Sequence, residues 1–263
     1  MLVLTFLLQV AAVSPVCAAN PNAPALDHAI IAVHDLENAA RAFRQAGFKI
    51  KPGRLHANGL FNGHMKFPDG TEIELMTVRG NPGDDMARRY MRIIAAGDGG
   101  AYVALRAATL DDVQRAATAS HLGTRRSSSG PWQFLGFADT SSAAAVFFTS
   151  GGAPVQDADS ILAHSPRVTE LAEVWVEGGM QLTDVLRAAG AVSCGSVRGP
   201  GGRTGERWRL ARGSVVVVPT RGRARPRVLG AVLRTSVARS DVVRPIPQFW
   251  IRYESATLNP THE

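Results

Sequence analysis

A repeating alternation of apolar and polar positions begins at Leu26. Residues 29–33 form an apolar run, which indicates a strand. Apolar residues then recur at helical spacing from Leu36 to Phe43, after Asp35 as a predicted N-cap and before Gly47 as a predicted helix end. Three further strands are predicted at 48–50, 64–67 and 71–78, with a turn at 68–70 between the last two. The segment therefore has the order β-α-β-β-β.

The same order returns further along the chain. A strand followed by a capped amphipathic helix starts again near Ala101 and near Leu171, and WRLARGSV at 208–215 echoes HMKFPDGT at 64–71. A fourth copy begins near Val228, without a visible helix. The predicted organisation is paired modules at 26–150, a linker at 151–167, a third module and partial fourth at 168–240, and an irregular tail at 241–263.

One stretch carries a specific family resemblance. LDHAIIAVHDLENAARAF, followed by FNGHMKFPDGTEIELM, resembles the opening module of the glyoxalase-like branch of the vicinal oxygen chelate superfamily. The resemblance implies an α+β fold in which repeated βαβββ modules pair into cupped mixed sheets, with helices on the outer face. It also implies a site inside the cup that often holds a divalent metal. Members include lyases, extradiol dioxygenases, an epimerase and metal-free binding proteins, so the fold alone does not select a reaction.

Candidate metal ligands follow from strand alternation and from this resemblance. Side chains alternate between the two faces of a strand, which places His28, Glu74 and His64 together on the face opposite the helix. His28 and Glu74 match the family's metal positions, whereas His64 is nominated by alternation only. Two imidazoles and a carboxylate suit Zn, Fe, Mn, Ni or Co. The alternative for His28 is a hydrogen-bonded core histidine, and for Glu74 a carboxylate paired with a cation.

The second module departs from the family pattern. Tyr102 stands where His28 stands in the first module, and AAAVFFTS at 143–150 offers no ligand. Tyr102 is therefore assigned to substrate binding, together with His56 and Asn62. Two functions stay open. One is a metal-dependent lyase or isomerase acting on a small carbonyl or enediolate-forming substrate, with Glu74 or Glu72 moving a proton. The other is a metal-free protein that binds a small molecule in the cup.

The N-terminus is typical of an export signal. Residues 2–13 are almost wholly apolar and small residues follow, so we predict a signal peptide at 1–19 with a cut after Ala18 or Ala19, and a periplasmic or secreted protein. The alternative is an uncleaved anchor or a cytoplasmic chain. Cys17 and Cys194 are the two cysteines, and loss of Cys17 with the signal predicts that Cys194 has no partner.

Charge adds one further expectation. The net charge is +7, and residues 198–252 are rich in arginine, with Glu206 and Asp241 as the acids of that segment. A basic segment attracts polyanions, but no nucleic-acid-binding motif accompanies these arginines. We therefore expect a small-molecule ligand and no specific nucleic-acid binding. The sequence also lacks a phosphate-binding glycine loop and a nucleophile elbow.

Overall fold

The computed structural model describes residues 17–152, 157–220 and 225–256. Within these ranges the helices are α1 (Leu36–Gln45), α2 (Asp85–Ala95), α3 (Leu110–Ala119), α4 (Asp159–Leu162) and α5 (Met180–Ala188). The strands are β1 (Ala25–Ala32), β2 (Lys51–Leu55), β3 (Leu60–Lys66), β4 (Glu72–Val78), β5 (Gly99–Arg106), β6 (Thr124–Ser129), β7 (Trp132–Phe137), β8 (Val146–Gly151), β9 (Val168–Gly178), β10 (Val192–Arg198), β11 (Thr204–Arg209), β12 (Ser214–Pro219), β13 (Val228–Thr235), β14 (Val242–Ile246) and β15 (Phe249–Ser255).

These strands form one mixed sheet of 15 strands that is divided into two cups. The first cup has the strand order β2-β3-β4-β1-β5-β8-β7-β6, and the second has the order β10-β11-β12-β9-β13-β15-β14. The two meet where β5 pairs with β13 through Gly100 and Val228. In each module the first strand runs parallel to the last, as between β1 and β4. The predicted α+β fold of repeated modules is confirmed.

The outer face of the sheet holds the main core. α1 buries Leu36, Ala39, Ala40 and Phe43, and its N-cap Asp35 accepts a hydrogen bond from the Asn38 amide at 3.0 Å. This face of α1 joins one large apolar cluster with Ile31 and Leu75 of the strands beneath. The predicted alternation is therefore confirmed, because these residues lie on the helix side and their neighbours lie on the concave side.

Three sequence predictions need correction. α2 was not predicted, and it packs against the concave face of the first cup through Ala87, Tyr90 and Ile94, so not every helix is on the outer face. The tail predicted to be irregular forms β14 and β15, and β15 pairs in parallel with β13. Phe249 and Ile251 of this tail are buried in the core. Their burial stabilises the strands more than the two nearby prolines disfavour them. The predicted linker contains the short helix α4.

Cys194 was predicted to lack a partner if Cys17 leaves with the signal, and the structure describes the chain with Cys17 in place. Cys17 and Cys194 form a disulfide with a Cα–Cα separation of 5.6 Å, which ties the chain before β1 to β10. The pairing joins residues 177 positions apart, so sequence proximity gave no indication of it. A cut after Ala18 or Ala19 would separate Cys17 from the rest of the backbone, and the signal peptide at 1–19 stays a prediction. The rest of the predicted signal, residues 1–16, lies outside the described residues.

In contrast to a cut after Ala18 or Ala19, we expect the mature protein to retain Cys17 in a disulfide, because the bond to Cys194 ties the chain before β1 to β10. Intact-mass measurement should show the unreduced protein lighter than the reduced protein by two hydrogen atoms. Peptide mapping without reductant should recover a Cys17–Cys194 peptide. A mature chain that begins after Cys17 would contradict this prediction.

Within the described ranges, no helix has the length and apolar character needed to cross a bilayer.

Candidate functional site

Polar residues gather on the concave face of the first cup, where β1, β4 and β3 lie side by side. His28 of β1 is paired with Glu72 of β4, and His64 of β3 is paired with Glu74 of β4. Glu72 and Glu74 are buried, and the side chains of His28 and His64 are 15% and 18% exposed. The structure thus brings together the predicted ligands His28, Glu74 and His64 on one face.

His28 is held by a carboxylate beside it in the chain. Its Nδ1 lies 2.6 Å from Oδ1 of Asp27, and Oδ2 of Asp27 accepts a hydrogen bond from Nε of Arg106 at 2.7 Å. A shift in register between β1 and β5 at this point lets Asp27 and His28 reach the same group of side chains. Nδ1 is therefore engaged, and Nε2 of His28 is directed toward Glu74. Asp27 and Arg106 were missed from sequence because alternation places adjacent residues on opposite faces.

Glu74 is also held by a neighbour. Its Oε1 accepts a hydrogen bond of 2.7 Å from Nδ2 of Asn62, while Asn62 Oδ1 accepts from the Arg54 amide at 2.9 Å. The second carboxylate oxygen, Oε2, lies 3.8 Å from Nε2 of His28, which is longer than a hydrogen bond. Asn62, predicted to bind substrate, therefore positions Glu74 in this structure.

Glu72 belongs to a separate ion-pair group. Its carboxylate contacts Nζ of Lys66 and lies 3.3 Å from Nδ1 of His64. Burial would raise the pKa of Glu72, but His64, His28 and Lys66 together lower it to about 2. A carboxylate with so low a pKa is a weak base, so the structure favours Glu74 over Glu72 for proton transfer.

The histidines differ in their protonation. Burial would lower the pKa of His28, but the hydrogen bond and charge of Asp27, with the charges of Glu72 and Glu74, raise it to about 9. His28 is therefore an imidazolium at neutral pH when only these residues surround it. Burial and the nearby Arg54 lower the pKa of His56, and its buried Nε2 has no hydrogen-bond partner among the described residues. His56 is thus a neutral imidazole beside the cluster.

Tyr102, which was predicted to bind substrate, is buried in the cup. It is 7% exposed, and its ring packs edge-on against Tyr90 of α2 at 5.4 Å and against Phe147 of β8 at 6.1 Å. α2 therefore covers this end of the cup, and its N-cap Asp84 is fixed by a 2.9 Å hydrogen bond from Nδ2 of Asn58. The assignment of Tyr102 to substrate binding stays a prediction.

A family model described as a glyoxalase-like domain matches residues 26–212. The chain belongs to the glyoxalase-like domain family. It is thereby a member of the vicinal oxygen chelate superfamily, as the sequence resemblance predicted. The match runs through the whole first cup and into the second, as far as the turn between β11 and β12. No curated protein matches the chain significantly.

Solved structures with the glyoxalase-like fold resemble the chain in overall shape. A hypothetical protein from Staphylococcus aureus aligns with a TM-score of 0.62 at 14% identity, covering 89% of this chain and 100% of that one. A mutant of 4-hydroxymandelate synthase from Streptomyces coelicolor aligns at 0.58 with 11% identity, covering 89% and 92%. A variant of homoprotocatechuate 2,3-dioxygenase from B. fuscum aligns at 0.55 with 14% identity, covering 84% and 59%. Identities this low establish the fold and nothing further.

The glyoxalase-like cup fits a divalent cation in part. His28 and Glu74 are each oriented by a second group, Asp27 or Asn62, in the way that partners of metal ligands orient them. Across the described residues, however, no three His, Cys, Asp or Glu side chains are close enough together to hold a metal ion. β5 and β8 present Tyr102 and Phe147 to the cup instead of ligands. The structure therefore offers two oriented ligands and no complete set.

Proposed function

We propose that the first cup is the active site of a metal-dependent enzyme of the lyase or isomerase type. Its substrate would be a small molecule with a carbonyl or an enediolate-forming group. The observation that carries the proposal is the pair His28 and Glu74, with Nε2 and Oε2 3.8 Å apart and each side chain fixed on its far side. These two residues would hold the cation. A bound divalent metal supplies a Lewis acid that polarises a substrate oxygen.

The residues around His28 and Glu74 have separate roles in positioning these ligands and in proton transfer. Asp27 and Arg106 hold the His28 ring in position, and Asn62 holds Glu74. His56 is the best placed proton carrier, since it is neutral and its Nε2 has no hydrogen-bond partner in the described structure. A neutral imidazole near the carbon next to a carbonyl is suited to general base catalysis at neutral pH. Glu72 balances the charge of Lys66 and takes no proton.

Metal titration by calorimetry tests the proposal. With two protein ligands, the chelator-treated protein should bind Zn²⁺ or Ni²⁺ weakly, and His28→Ala should weaken that binding by at least about 100-fold because one of the two ligands is lost. Asp27→Asn, which keeps the shape but loses the charge, should weaken it by about 10- to 100-fold. Binding should also weaken as the pH falls below about 9, the pKa of His28 among these residues, since a ligating imidazole must lose its proton.

His34→Ala is the matched control. His34 also pairs with a carboxylate, Asp98, at 2.6 Å, but its side chain is 60% exposed and lies outside the cup. Metal affinity should be the same in this variant as in the wild type. Equal affinity in wild type and His28→Ala would place the site elsewhere and defeat the proposal. His64→Ala shows whether the third predicted ligand contributes, because His64 is 3.3 Å from Glu72 in this structure.

Enzyme activity needs its own assay. The metal-loaded protein should exchange hydrogen on the carbon next to the carbonyl of hydroxyacetone in deuterated water, followed by nuclear magnetic resonance. His56→Gln should slow this exchange by about 100-fold or more while leaving metal affinity unchanged, as expected for loss of a general base. Exchange at the wild-type rate in His56→Gln would remove His56 from the mechanism.

A metal-free binding protein is the second candidate. It is favoured by the aromatic rings that face the cup in place of ligands, with His28 5.8 Å from Phe147 and Phe147 6.1 Å from Phe134. In that case the His28 imidazolium would itself bind an anionic or oxygen-rich ligand. The same calorimetry separates the two functions, because wild-type protein without measurable metal binding supports this second one.

A further inference from the structure

The second cup carries a polar group at the place where the first cup carries His28. In the first cup, His28 of β1 is paired with Glu72 of β4. In the second cup, Glu173 of β9 is paired in the same parallel manner with Ser214 of β12. Both residues lie on the concave face of the first strand of their module, so Glu173 is the counterpart of His28.

Arginines occupy the neighbouring positions. In the first cup, His64 and Lys66 of β3 are paired with the strand that carries the carboxylates. In the second cup, Arg207 and Arg209 of β11 hold the same register positions beside β12. Trp208 between them is buried in the outer core, so the two arginines point to the concave face. The fold thus places two arginines of the basic segment 198–252 on the concave face of the second cup.

Glu173 holds this group in place. It is buried, and its Oε2 accepts a hydrogen bond from Nε of Arg207 at 2.5 Å. Its Oε1 accepts from Nε1 of Trp175 at 2.7 Å and lies 3.9 Å from Nη2 of Arg252. Arg207 and Arg252 are 35% and 21% exposed, so both retain access to solvent. Glu173 therefore orients Arg207, while Nη2 of Arg252 donates to Oε1 of Glu254 at 2.7 Å.

Glu173 and Glu254 balance the charges of Arg207 and Arg252, and the charge of Arg209 is left over. Arg209 is half-buried and forms no ion pair or hydrogen bond with any side chain in the described ranges. Nε of Arg252 is buried and lacks a hydrogen-bond partner in the same part of the chain. On the same face of the sheet, Trp175 and Trp250 pack edge-on at 5.7 Å and form an apolar floor. Donors without acceptors on the same face as an aromatic floor form a site for an anion.

We propose that the second cup binds a small oxyanion, a carboxylate or a phosphate, through Arg207, Arg209 and Arg252. Guanidinium groups bind both anions with two parallel hydrogen bonds, and the pairing with Glu173 orients Arg207 in advance. The ligand is small because Glu173 and Glu254 stand among the arginines and would repel an extended polyanion. This site is separate from the proposed active site in the first cup.

Anion titration followed by tryptophan fluorescence tests the site. The probes are inorganic phosphate, phenyl phosphate and benzoate, each against sodium chloride of matched ionic strength. Trp175 donates to Glu173, the partner of Arg207, and Trp250 packs against Trp175, so binding should change their emission in a saturable way. Arg209→Ala should weaken binding by about tenfold, as expected for one lost charge-assisted hydrogen bond. Arg207 is a poorer residue to substitute than Arg209, because it pairs with Glu173. Loss of Arg207 would leave the buried Glu173 carboxylate without its closest partner.

Arg198→Ala is the matched control. Arg198 is exposed on β10 in the same basic segment, and it points away from the floor to which its neighbour Val197 belongs. Its replacement should leave affinity within about twofold of the wild type. Saturable binding that Arg209→Ala weakens and Arg198→Ala does not would support the proposal, with the preferred probe showing whether the ligand is a carboxylate or a phosphate.

Three results would overturn the proposal. The first is a response that chloride reproduces at equal ionic strength. The second is equal affinity in wild type and Arg209→Ala. The third is tight binding of single-stranded DNA or of anionic lipid vesicles with which phosphate and benzoate do not compete, because that would assign the arginines to a polyanion. A thermal shift produced by phosphate in the wild type, and reduced in Arg209→Ala, gives an independent measurement of the same equilibrium.

Discussion

Replacing Trp208 by alanine should lower the free energy of unfolding by about 3–5 kcal/mol. Trp208 is fully buried on β11 and belongs to the core beneath the outer helices. Its ring also lies 5.2 Å from the guanidinium carbon of Arg187 on α5, so it connects the second cup to its helix. The large cavity left by alanine cannot be filled by neighbours that are themselves held in a sheet. Urea unfolding monitored by circular dichroism measures the change.

Trp208→Phe is the volume-conserving comparison. It keeps most of the ring, and it removes an indole N–H that has no hydrogen-bond partner within the described structure. The free energy of unfolding should fall by less than about 1.5 kcal/mol in Trp208→Phe. Leu55→Ala is a surface control, because Leu55 is 59% exposed and its loss should change stability by less than about 0.5 kcal/mol. A loss in Trp208→Ala no larger than in Leu55→Ala would show that the third module does not share the core.

Gly100→Ala should destabilise the seam between the two cups by about 3 kcal/mol. A Cβ added to Gly100 would lie 2.4 Å from the carbonyl oxygen of Val228 and 2.7 Å from the Cβ of the same residue. One of these neighbours is backbone and cannot rotate away. β5 and β13 pair only at these two residues within the described ranges, so relief of the clash requires the cups to move apart.

Gly123→Ala provides the control for chain entropy. No atom lies within 4 Å of a Cβ added there, and Gly123 does not have a positive φ. Its replacement should raise stability by up to about 1 kcal/mol, because alanine restricts the unfolded chain. Chemical unfolding of both variants tests the pair. Equal stability in Gly100→Ala and Gly123→Ala would mean that β5 and β13 do not approach as closely as the structure shows.

Much of the candidate site could be predicted because strand alternation is a local property. Once β1, β3 and β4 were recognised, the faces of His28, His64 and Glu74 followed from their spacing alone. What alternation does not determine is which polar atom reaches which partner. His64 was predicted to share a ligand set with His28, yet it lies beside Glu72, at 3.3 Å. Register between strands and side-chain length decide such contacts, and neither is encoded in a local pattern.

The features that the sequence did not predict arise from contacts between distant residues. α2 is amphipathic, but that pattern does not say that its apolar side covers Tyr102 in the cup and not the outer face. The disulfide joins Cys17 to Cys194, and the pairing of β15 with β13 places a proline-flanked tail inside the core.

The sequence by itself determined the repeated modules and the face on which each strand residue lies, because both depend on short-range periodicity. The family followed from the resemblance of the first module to the glyoxalase-like branch and from the match over residues 26–212. Only the tertiary structure decided how the modules pair, that Asp27 and Asn62 position His28 and Glu74, and that Arg207 and Trp175 share Glu173. These arrangements depend on long-range strand order, which brings together residues whose separation along the chain carries no signal.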